Sequence, residues 1–368
     1  MAALSLEQVK ERLATVAHPS FGKPMLELGL LDALQVSDDR ISLKATLHAA
    51  SEPLKQEIRA RIERALEGLG TQDVVIEWDL QVPMRAVSGD DPVPDVKNVI
   101  LVMSGKGGVG KSTVAVNLAL ALKRAGTRVG LLDADIYGPS IPTMLGLSGH
   151  PHSEDGKTIE PMQRFGVKLM SIGFMIENDK DAIIWRGPML QSALMQFLGD
   201  VHWGELDYLV LDLPPGTGDV ALTLAQRLKS TGAVIVTTPQ EVALQDVYKS
   251  VSMCKKLNIP ILGVVENMSF FIDSAGMRHE LFGAGGGKKI AEFADAPLLA
   301  QIPLHPSVRE HGDGGTPIVQ AAPDHPEARA FTTMAEALAE RIALESFVRG
   351  GGHKAPESKA QRRLKIMR

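Results

Sequence analysis

The stretch Val99-Ile-Leu-Val-Met-Ser-Gly-Lys-Gly-Gly-Val-Gly-Lys-Ser-Thr113 determines the fold of this 368-residue chain. Residues 99–103 are all apolar, which is typical of a buried parallel strand. A glycine-rich turn follows, and residues 113–123 have the apolar spacing of a helix that ends near Gly126. This order predicts a phosphate-binding loop, because the backbone N–H groups of the turn and the positive end of the helix attract anions.

Two phosphate-binding motifs overlap in this loop. The spacing G-x-G-x-x-G is met by Gly105, Gly107 and Gly110. Asp133, about 20 residues on, would then be the ribose-binding acid of a dinucleotide fold. The loop also meets G-x-x-x-x-G-K-[ST], the P-loop, in which a lysine reaches the β- and γ-phosphates and a hydroxyl binds Mg²⁺. The P-loop interpretation is favoured, because it accounts for Lys111 and Ser112, which a dinucleotide-binding loop does not need.

Composition limits the class of protein. Apolar residues make up 44% of the chain and the net charge is −5, which suits a globular protein and gives no reason to expect nucleic-acid binding. The single cysteine, Cys254, excludes an intrachain disulfide and a cysteine-rich metal site within one subunit. No apolar run approaches the roughly 20 residues of a membrane span, and residues 1–13 resemble neither a signal peptide nor a transit peptide. We therefore expect a cytoplasmic protein.

The length predicts two domains. Residues 1–82 have the pattern of a small α+β domain, with helices at 6–16 and 53–68 and strands at 26–35, 41–47 and 74–80. Residues 83–96 contain prolines and a glycine among charged residues, which predicts a linker.

Residues 97–347 alternate apolar strands with helices. Besides 99–103, the predicted strands are 128–132, 167–172, 208–211, 233–237, 261–265 and 297–302. Such alternation predicts an α/β fold with a mostly parallel sheet that has helices on both faces. The basic residues 348–368 predict a flexible tail, with contact to a membrane or to RNA as the alternative.

Acidic residues end two of the predicted strands. Carboxylates at the carboxyl ends of parallel strands face the ligand crevice, and Asp133 and Asp135 project the same way because strand side chains alternate. We expect both to reach Mg²⁺ or a water beside the γ-phosphate, although two such acids also cap loops. Asp212 follows an apolar strand in the Walker B pattern, which predicts contact with the metal.

Three further segments lie at or after strand ends. In Leu213-Pro-Pro-Gly-Thr-Gly-Asp219, the backbone N–H of Gly216 is free to approach the γ-phosphate, so that losing this contact reports hydrolysis. A rigid proline turn is the alternative interpretation. Val265-Glu-Asn267 and Gln301-Ile-Pro303 end two later strands, where an asparagine is otherwise a turn former.

Several motifs together closely resemble the Mrp/ApbC family of P-loop ATPases, which carry iron–sulfur clusters. They are Lys97-Asn-Val99, residues 105–113, 133–142, Trp185–Met189, Leu213–Asp219, Glu266–Ser269 and Phe282–Gly287. The loop with its extra Lys106 resembles the deviant Walker A motif of the MinD, ParA and nitrogenase iron-protein ATPases, in which that lysine crosses a dimer interface to the partner's nucleotide. Residues 1–82 resemble the small domain of Suf-type and MIP18-type iron–sulfur assembly factors.

The resemblance implies ATP and Mg²⁺ as ligands, a homodimer formed on ATP binding, and iron–sulfur assembly factors or apoprotein clients as partners. The implied nucleotide-binding residues are Gly105, Lys106, Gly107, Gly108, Val109, Gly110, Lys111, Ser112, Thr113, Gly216, Asn267 and Pro303. Of these, Asn267 and the backbone near Pro303 would hold the adenine. The implied catalytic residues are Lys106, Lys111 and Asp135, with Asp135 orienting the attacking water. The implied metal-binding residues are Ser112, Asp133 and Asp212.

The chain departs from this family at the cluster site. Between Ser269 and Phe282 the family usually carries Cys-x-x-Cys, so that two subunits hold one bridging cluster. Residues 270–281 contain no cysteine here, and Asp273 and its neighbours are poor replacements because clusters bind thiolates. Cys254 falls on a predicted helix at 242–257 and is interpreted as a small buried apolar residue. A bound cluster is therefore doubtful.

Three functional hypotheses remain at this point, and the retained Lys111, Asp135 and Asp212 argue against the third, a non-catalytic interaction protein. The first is an ATP-hydrolysing Mrp/ApbC-type protein that assists the assembly or transfer of iron–sulfur clusters to apoproteins, with ligands borrowed from a partner. The second is a partition or positioning switch like MinD and ParA, which acts on DNA, membrane or protein partners. The N-terminal domain and Trp185–Met189 favour the first, whereas the missing Cys-x-x-Cys and the basic tail keep the second open.

Overall fold

A computed structural model describes residues 5–37, 40–69, 73–135, 138–175, 187–218, 222–224 and 227–349, and for residues 187–191 it describes the backbone alone. The chain divides into two compact units. The smaller unit comprises the residues up to Met84 together with those from Ala339 onward, and the larger unit comprises Arg85–Leu338.

The small unit is α+β. Its elements are α1 (Leu6–Leu13), β1 (Leu31–Val36), β2 (Arg40–Leu47), α2 (Glu52–Leu66) and β3 (Asp73–Leu80). β1 and β2 are antiparallel, and β2 and β3 are parallel. Ser5 begins α1 in a capping box with Gln8, and Ser51 caps α2 by accepting from the N–H of Leu54.

One predicted strand of the small unit begins five residues later than the sequence pattern indicated. Strand β1 starts at Leu31 rather than at residue 26, because residues 25–29 form turns. The Gly29 N–H donates to the Leu26 carbonyl at 3.0 Å, and Gly29 has φ +66°. Met25 and Leu28 are buried and Leu26 is half-buried although this segment is not a strand, and its apolar pattern therefore resembled that of one.

His18 is a buried histidine of the small unit. Its ring stacks on Phe21 with centroids 4.0 Å apart, and its Nδ1 accepts hydrogen bonds from the N–H groups of Ser20 and Phe21. Burial, followed by the charges of His48 and Arg61, lowers the pKa of His18 to about 4. The neutral ring is therefore the form that the fold requires.

We expect the small unit to lose stability as the pH falls from about 6.5 to about 4. In this window the unfolded chain protonates His18 and the folded chain does not, which costs about 3 kcal/mol in all. Hydrogen exchange of backbone amides in residues 5–69 and 73–84, corrected for intrinsic rates, measures the effect in the full chain. His18→Gln removes the titrating group, so an equally steep pH dependence in that variant contradicts the prediction.

The large unit begins with strands and helices that alternate. Its strands are β4 (Val96–Ser104), β5 (Val129–Asp133), β6 (Met162–Arg164), β7 (Val167–Ser171), β8 (Leu206–Asp212), β9 (Gly232–Thr237), β10 (Ile261–Glu266), β11 (Phe271–Ile272), β12 (Arg278–His279) and β13 (Leu298–Gln301). Its helices are α3 (Lys111–Arg124), α4 (Ile141–Met144), α5 (Gly187–Gly199), α6 (Glu241–Lys256), α7 (Gly286–Ala294), α8 (Pro306–Asp313), α9 (Ile318–Ala321) and α10 (Pro326–Val348), the last of which continues into the small unit.

Within the described residues, eight strands form one sheet in the order β13-β10-β9-β4-β8-β5-β7-β6. All neighbours are parallel except β6, which is antiparallel to β7. Strand β4 is buried on both faces: Val99, Leu101 and Met103 belong to one core, and Ile100 and Val102, which point the opposite way, are also inaccessible. The predicted α/β class with a mostly parallel sheet is confirmed.

The predicted linker is ordered from Arg85 onward as part of the large unit. The Arg85 guanidinium forms an ion pair with Asp91, in which both side chains are almost completely buried. It also donates to the carbonyl of Val93 at 2.9 Å. These contacts fix the chain just before β4 begins. None of the helices in the described part of the chain has the length and apolar character to cross a membrane.

Candidate functional site

The phosphate-binding loop connects the end of β4 to the start of α3. Gly110, which precedes α3, has φ +79°, a left-handed conformation that favours glycine. A Cβ on Gly105 would lie 2.3 Å from the backbone nitrogen of Val247 in α6, so only glycine fits there. The loop lines an open pocket of about 200 Å³ together with Thr113, Asp135, Ser140, Met144 and Pro215.

Lys111 is the central positive charge of this pocket. Its ammonium lies 2.7 Å from Oδ1 of Asp212 and 3.6 Å from Oδ2 of Asp135, and the residue is 6% exposed. Ser112 Oγ donates to Oδ2 of Asp212 at 2.5 Å. Burial raises the pKa of Asp212, and the charge of Lys111 opposes that shift. The predicted Walker lysine, metal-binding hydroxyl and Walker B acid therefore lie in contact.

Asp133 is fully buried and is paired with Asp212 in the register of β5 and β8. Its Oδ2 accepts from Ser171 Oγ at 3.0 Å, and its Oδ1 accepts from the N–H of Asp135 at 3.2 Å. Burial and the neighbouring charge of Asp212 raise the pKa of Asp133 to about 8. These hydrogen bonds hold the loop that carries Asp135, whereas contact of Asp133 with a metal stays a prediction.

Lys106 lies within the phosphate-binding loop, and Gly216 contacts the chain just before it. Lys106 is partly exposed and lines the pocket, and its ammonium forms no ion pair with any residue that the structure describes. The Gly216 N–H donates to the carbonyl of Ser104 at 2.9 Å. This group is therefore already bonded, and it must leave Ser104 before it can contact a γ-phosphate.

The side chain of Asn267 is hydrogen-bonded to the backbone of the phosphate-binding loop. Its Nδ2 donates to the carbonyl of Val109 at 2.8 Å, and a Cβ on Gly110 would lie 2.2 Å from the same nitrogen. The side chain is 6% exposed. Pro303 follows β13 and is also buried. The adenine contacts of both residues stay predictions, because the described contact of Asn267 is with the loop itself.

Glu266 is a buried acid whose role the sequence analysis did not identify. It ends β10 and is completely inaccessible. It accepts from Ser269 Oγ at 2.5 Å, from the N–H of Gly287 at 2.5 Å and from Gln301 Nε2 at 2.7 Å. It thereby joins β10, α7 and β13 beside Asn267. An acid next to a strand-end asparagine was the only sequence signal.

The segment at the family's cluster position forms a small hairpin of β11 and β12. Asp273 closes its turn by accepting from the N–H groups of Ala275 and Met277, each at 2.9 Å. It also contacts Nε2 of His279 at 2.7 Å, and this hydrogen bond is the largest cause of the lowered pKa of Asp273. In the segment where the family resemblance places Cys-x-x-Cys, this chain therefore has Asp273, whose oxygens are bonded within the hairpin.

Cys254 lies in α6 and is fully buried. Its Sγ is 3.7 Å from Sδ of Met103 in β4, and burial raises the pKa of the thiol to about 12. The interpretation of Cys254 as a small buried apolar residue is confirmed. Such a protonated thiol inside the core is not a cluster ligand.

Parts of four predicted segments lie outside the described residues. They are Ile136 and Tyr137, Trp185 and Arg186, Asp219, and the basic tail from Gly350 onward. The backbone of residues 187–189 is described and forms the start of α5.

The chemistry of the described site is that of polyanion binding. The positive end of α3, the ammonium of Lys111 and the partly exposed Lys106 favour phosphate groups. The oxygens of Ser112 and Asp212 are hard donors of the kind that Mg²⁺ prefers. A nucleotide phosphate and a divalent cation therefore fit the same pocket.

Comparison with family models agrees with this geometry. Residues 95–339 match the family described as the NUBPL iron-transfer P-loop NTPase, and residues 6–78 match the family described as an iron–sulfur cluster assembly protein. The first match covers most of the large unit and includes the whole of the phosphate-binding loop.

Individual relatives give the same result. An iron–sulfur cluster carrier protein of Synechocystis sp. is 43% identical over 353 residues, which cover 94% of this chain and 100% of the relative. That of Aquifex aeolicus is 54% identical over 255 residues, covering 68% and 69%. The structure of a nucleotide-binding protein from Archaeoglobus fulgidus in complex with ADP is 41% identical, with a TM-score of 0.54, and covers 62% of this chain and 92% of that one. The chain therefore belongs to the family of NUBPL iron-transfer P-loop NTPases.

Proposed function

We propose that this protein binds and hydrolyses ATP and that it assists the assembly or transfer of iron–sulfur clusters to apoproteins. The observation that carries the proposal is the contact of Lys111 and Ser112 with Asp212 in the pocket of the phosphate-binding loop. The names of the relatives support the second half, because both are iron–sulfur cluster carrier proteins.

The P-loop residues would bind the phosphates of ATP. Lys111 is held by Asp212 and Asp135, and a bound γ-phosphate competes with these carboxylates for its ammonium. Ser112 and Asp212, with Asp133 behind them, are the residues that would hold Mg²⁺, which would neutralise charge on the phosphates. Asp135 lies at the pocket wall, 3.6 Å from the Lys111 ammonium, where it would orient the attacking water.

Two further contacts would change when ATP binds. The Gly216 N–H leaves the carbonyl of Ser104 and turns to the γ-phosphate, which makes the segment after β8 a sensor of hydrolysis. Asn267 and Pro303 would hold the adenine, and because Asn267 also contacts Val109, adenine binding is coupled to the shape of the loop.

We propose a homodimer as the active form and the cytoplasm as its compartment. The partly exposed Lys106 is available to reach the nucleotide of a second copy, as in the ATPases whose loop it resembles. A reducing compartment suits a chain with one buried thiol. Its partners are iron–sulfur assembly factors or apoprotein clients, which supply the cluster ligands that residues 270–281 do not offer.

We expect Lys106→Ala to lower ATP turnover about 10²-fold and to abolish association on ATP binding, while nucleotide affinity changes only several-fold. The reason is that Lys111 and the loop N–H groups remain in each subunit, whereas the charge supplied by the second copy is lost. Phosphate release measures turnover, and light scattering with and without ATP measures association.

Lys157→Ala is the matched control, because Lys157 is exposed in a loop away from the pocket. It should behave as the wild type. Two results together would remove the dimer from the proposal and leave a monomeric ATPase. They are full activity of Lys106→Ala and the absence of ATP-dependent dimerisation of the wild type. Absence of any ATP turnover in the wild type, with or without a client, overturns the proposal.

A further inference from the structure

Three side chains that commonly bind metals converge in the large unit, outside the phosphate-binding pocket. They are His305, His325 and Glu327, and one ligand atom of each lies within 4.8 Å of the others. His305 is the N-cap of α8, and His325 and Glu327 flank Pro326 at the start of α10. The cluster therefore joins the loop after β13 to a helix that begins 21 residues after His305.

The cluster contains buried polar atoms with unused bonding capacity. Glu327 is 5% exposed. Its Oε2 contacts Nδ1 of His325 as an ion pair, yet neither atom has a hydrogen-bond partner of acceptable geometry among the described residues. A buried carboxylate oxygen without hydrogen bonds is unfavourable, and a cation bound to both atoms, once they separate to ligand distance, would satisfy both.

His305 is the third candidate ligand, and the three side chains leave one side open to solvent. The His305 ring lies 5.2 Å from the His325 ring between centroids, and its Nδ1 accepts from the Ser307 N–H at 3.2 Å. A neutral imidazole has a single free lone pair, so ligation by His305 replaces this long hydrogen bond. The His325 side chain is 31% exposed, which leaves a route by which an ion and a water can enter.

We propose that His305, His325 and Glu327 form a binding site for a divalent transition-metal ion of the zinc class. Two imidazoles and one carboxylate are typical ligands of zinc, whereas Mg²⁺ and Ca²⁺ prefer oxygen ligands throughout. Ligand atoms in a tetrahedral zinc site are roughly 3.4 Å apart. The pairs of ligand atoms that lie farthest apart therefore need to approach by about 1 Å, and the His325–Glu327 contact, which is shorter than this separation, needs to open. Three protein ligands leave the fourth position to water.

A metal here would tie the chain two residues after Pro303 to the first turn of α10. The ion binds the folded state only, because the ligands are brought together by the fold. It therefore stabilises the large unit in proportion to the free metal concentration.

The test is titration of the metal-free full chain with Co²⁺ in excess Mg²⁺, which saturates the phosphate-binding pocket. We expect one Co²⁺ per chain with the visible absorption of a tetrahedral site, its displacement by Zn²⁺, and a melting temperature a few degrees higher with Zn²⁺. His325→Asn keeps an N-cap residue for α10, and Glu327→Gln keeps the size of the side chain. Both variants should lose the absorption and the thermal shift.

His202→Asn is the matched control, because His202 forms an exposed pair with Glu160 and should leave Co²⁺ binding unchanged. Circular dichroism and nucleotide binding confirm that each variant is folded. A wild type that shows no tetrahedral absorption overturns the site. So does a folded Glu327→Gln variant that binds Co²⁺ as the wild type does.

Discussion

Lys111→Ala is expected to lose ATP hydrolysis by about 10³-fold or more. The ammonium of Lys111 lies 2.7 Å from Asp212 and 3.6 Å from Asp135. Removing it leaves both acids without their cation and leaves the transferred phosphate without its nearest positive charge. Two acids facing a phosphate repel it, so both nucleotide binding and turnover should fall. Phosphate release under saturating MgATP measures the loss.

The same substitution has a cost for folding that must be separated from its cost for catalysis. Asp212 is completely buried, and breaking a buried ion pair by removing one partner destabilises a protein by about 3–5 kcal/mol. Denaturant unfolding of the variant measures this change. A folded Lys111→Ala protein with unchanged turnover removes the P-loop assignment.

Asp135→Asn is the companion variant, because it keeps the size of the side chain and removes its charge. Asp135 lies at the pocket wall and holds no metal in the proposed arrangement. Nucleotide binding should therefore stay close to that of the wild type while turnover falls. If binding and turnover fall together, Asp135 contacts the nucleotide or the metal rather than the attacking water.

Local sequence patterns were sufficient to predict the P-loop and the parallel strands of the sheet. Residues 99–113 combine an apolar run, a glycine-rich turn and a helix, and each of these three signals acts over a few residues. Six of the seven predicted strands of the large unit match the observed strands within two residues at each end, and β4 begins three residues earlier than predicted, whereas the short strands β6, β11 and β12 were not predicted. Asp133 and Asp212 meet because both end parallel strands, and a parallel sheet brings such ends to one edge.

Contacts that depend on the assembled fold were not predictable. The Gly216 N–H is bonded to Ser104, and Asn267 is bonded to Val109, although the sequence predicted ligand contacts for both. The three buried bonds of Glu266 join elements that are separated by up to 35 residues. No pattern of spacing indicates them, because they arise where β10, α7 and β13 come together.

The purified protein alone is expected to retain almost no iron–sulfur cluster. A bridging four-iron cluster needs four ligands, usually thiolates, and a homodimer of this chain has two cysteines, one from each subunit. Each Cys254 is completely buried, and its pKa is raised to about 12. Ligation would require opening the core between α6 and β4, where the thiol lies against Met103.

No other side chain of the hairpin replaces the missing thiolates. Asp273 is occupied by the N–H groups of its own turn and by His279. Histidine serves as a cluster ligand only together with thiolates, as in Rieske centres. Because both Cys254 thiols are buried and protonated, two histidines and these two thiols do not make a four-iron site. In the proposed function, glutathione, an assembly factor or a client would therefore provide the ligands during transfer.

Anaerobic reconstitution with iron and sulfide, followed by desalting, tests whether the protein alone retains a cluster. We expect iron and sulfide far below the roughly four of each per dimer that a bridging cluster requires, and no stable broad visible band. With glutathione and an apoprotein acceptor present, MgATP and this protein should speed cluster insertion, and Lys111→Ala should not. A stable band with about four irons per dimer contradicts the prediction, and its loss in Cys254→Ala would then identify the buried thiol as a ligand.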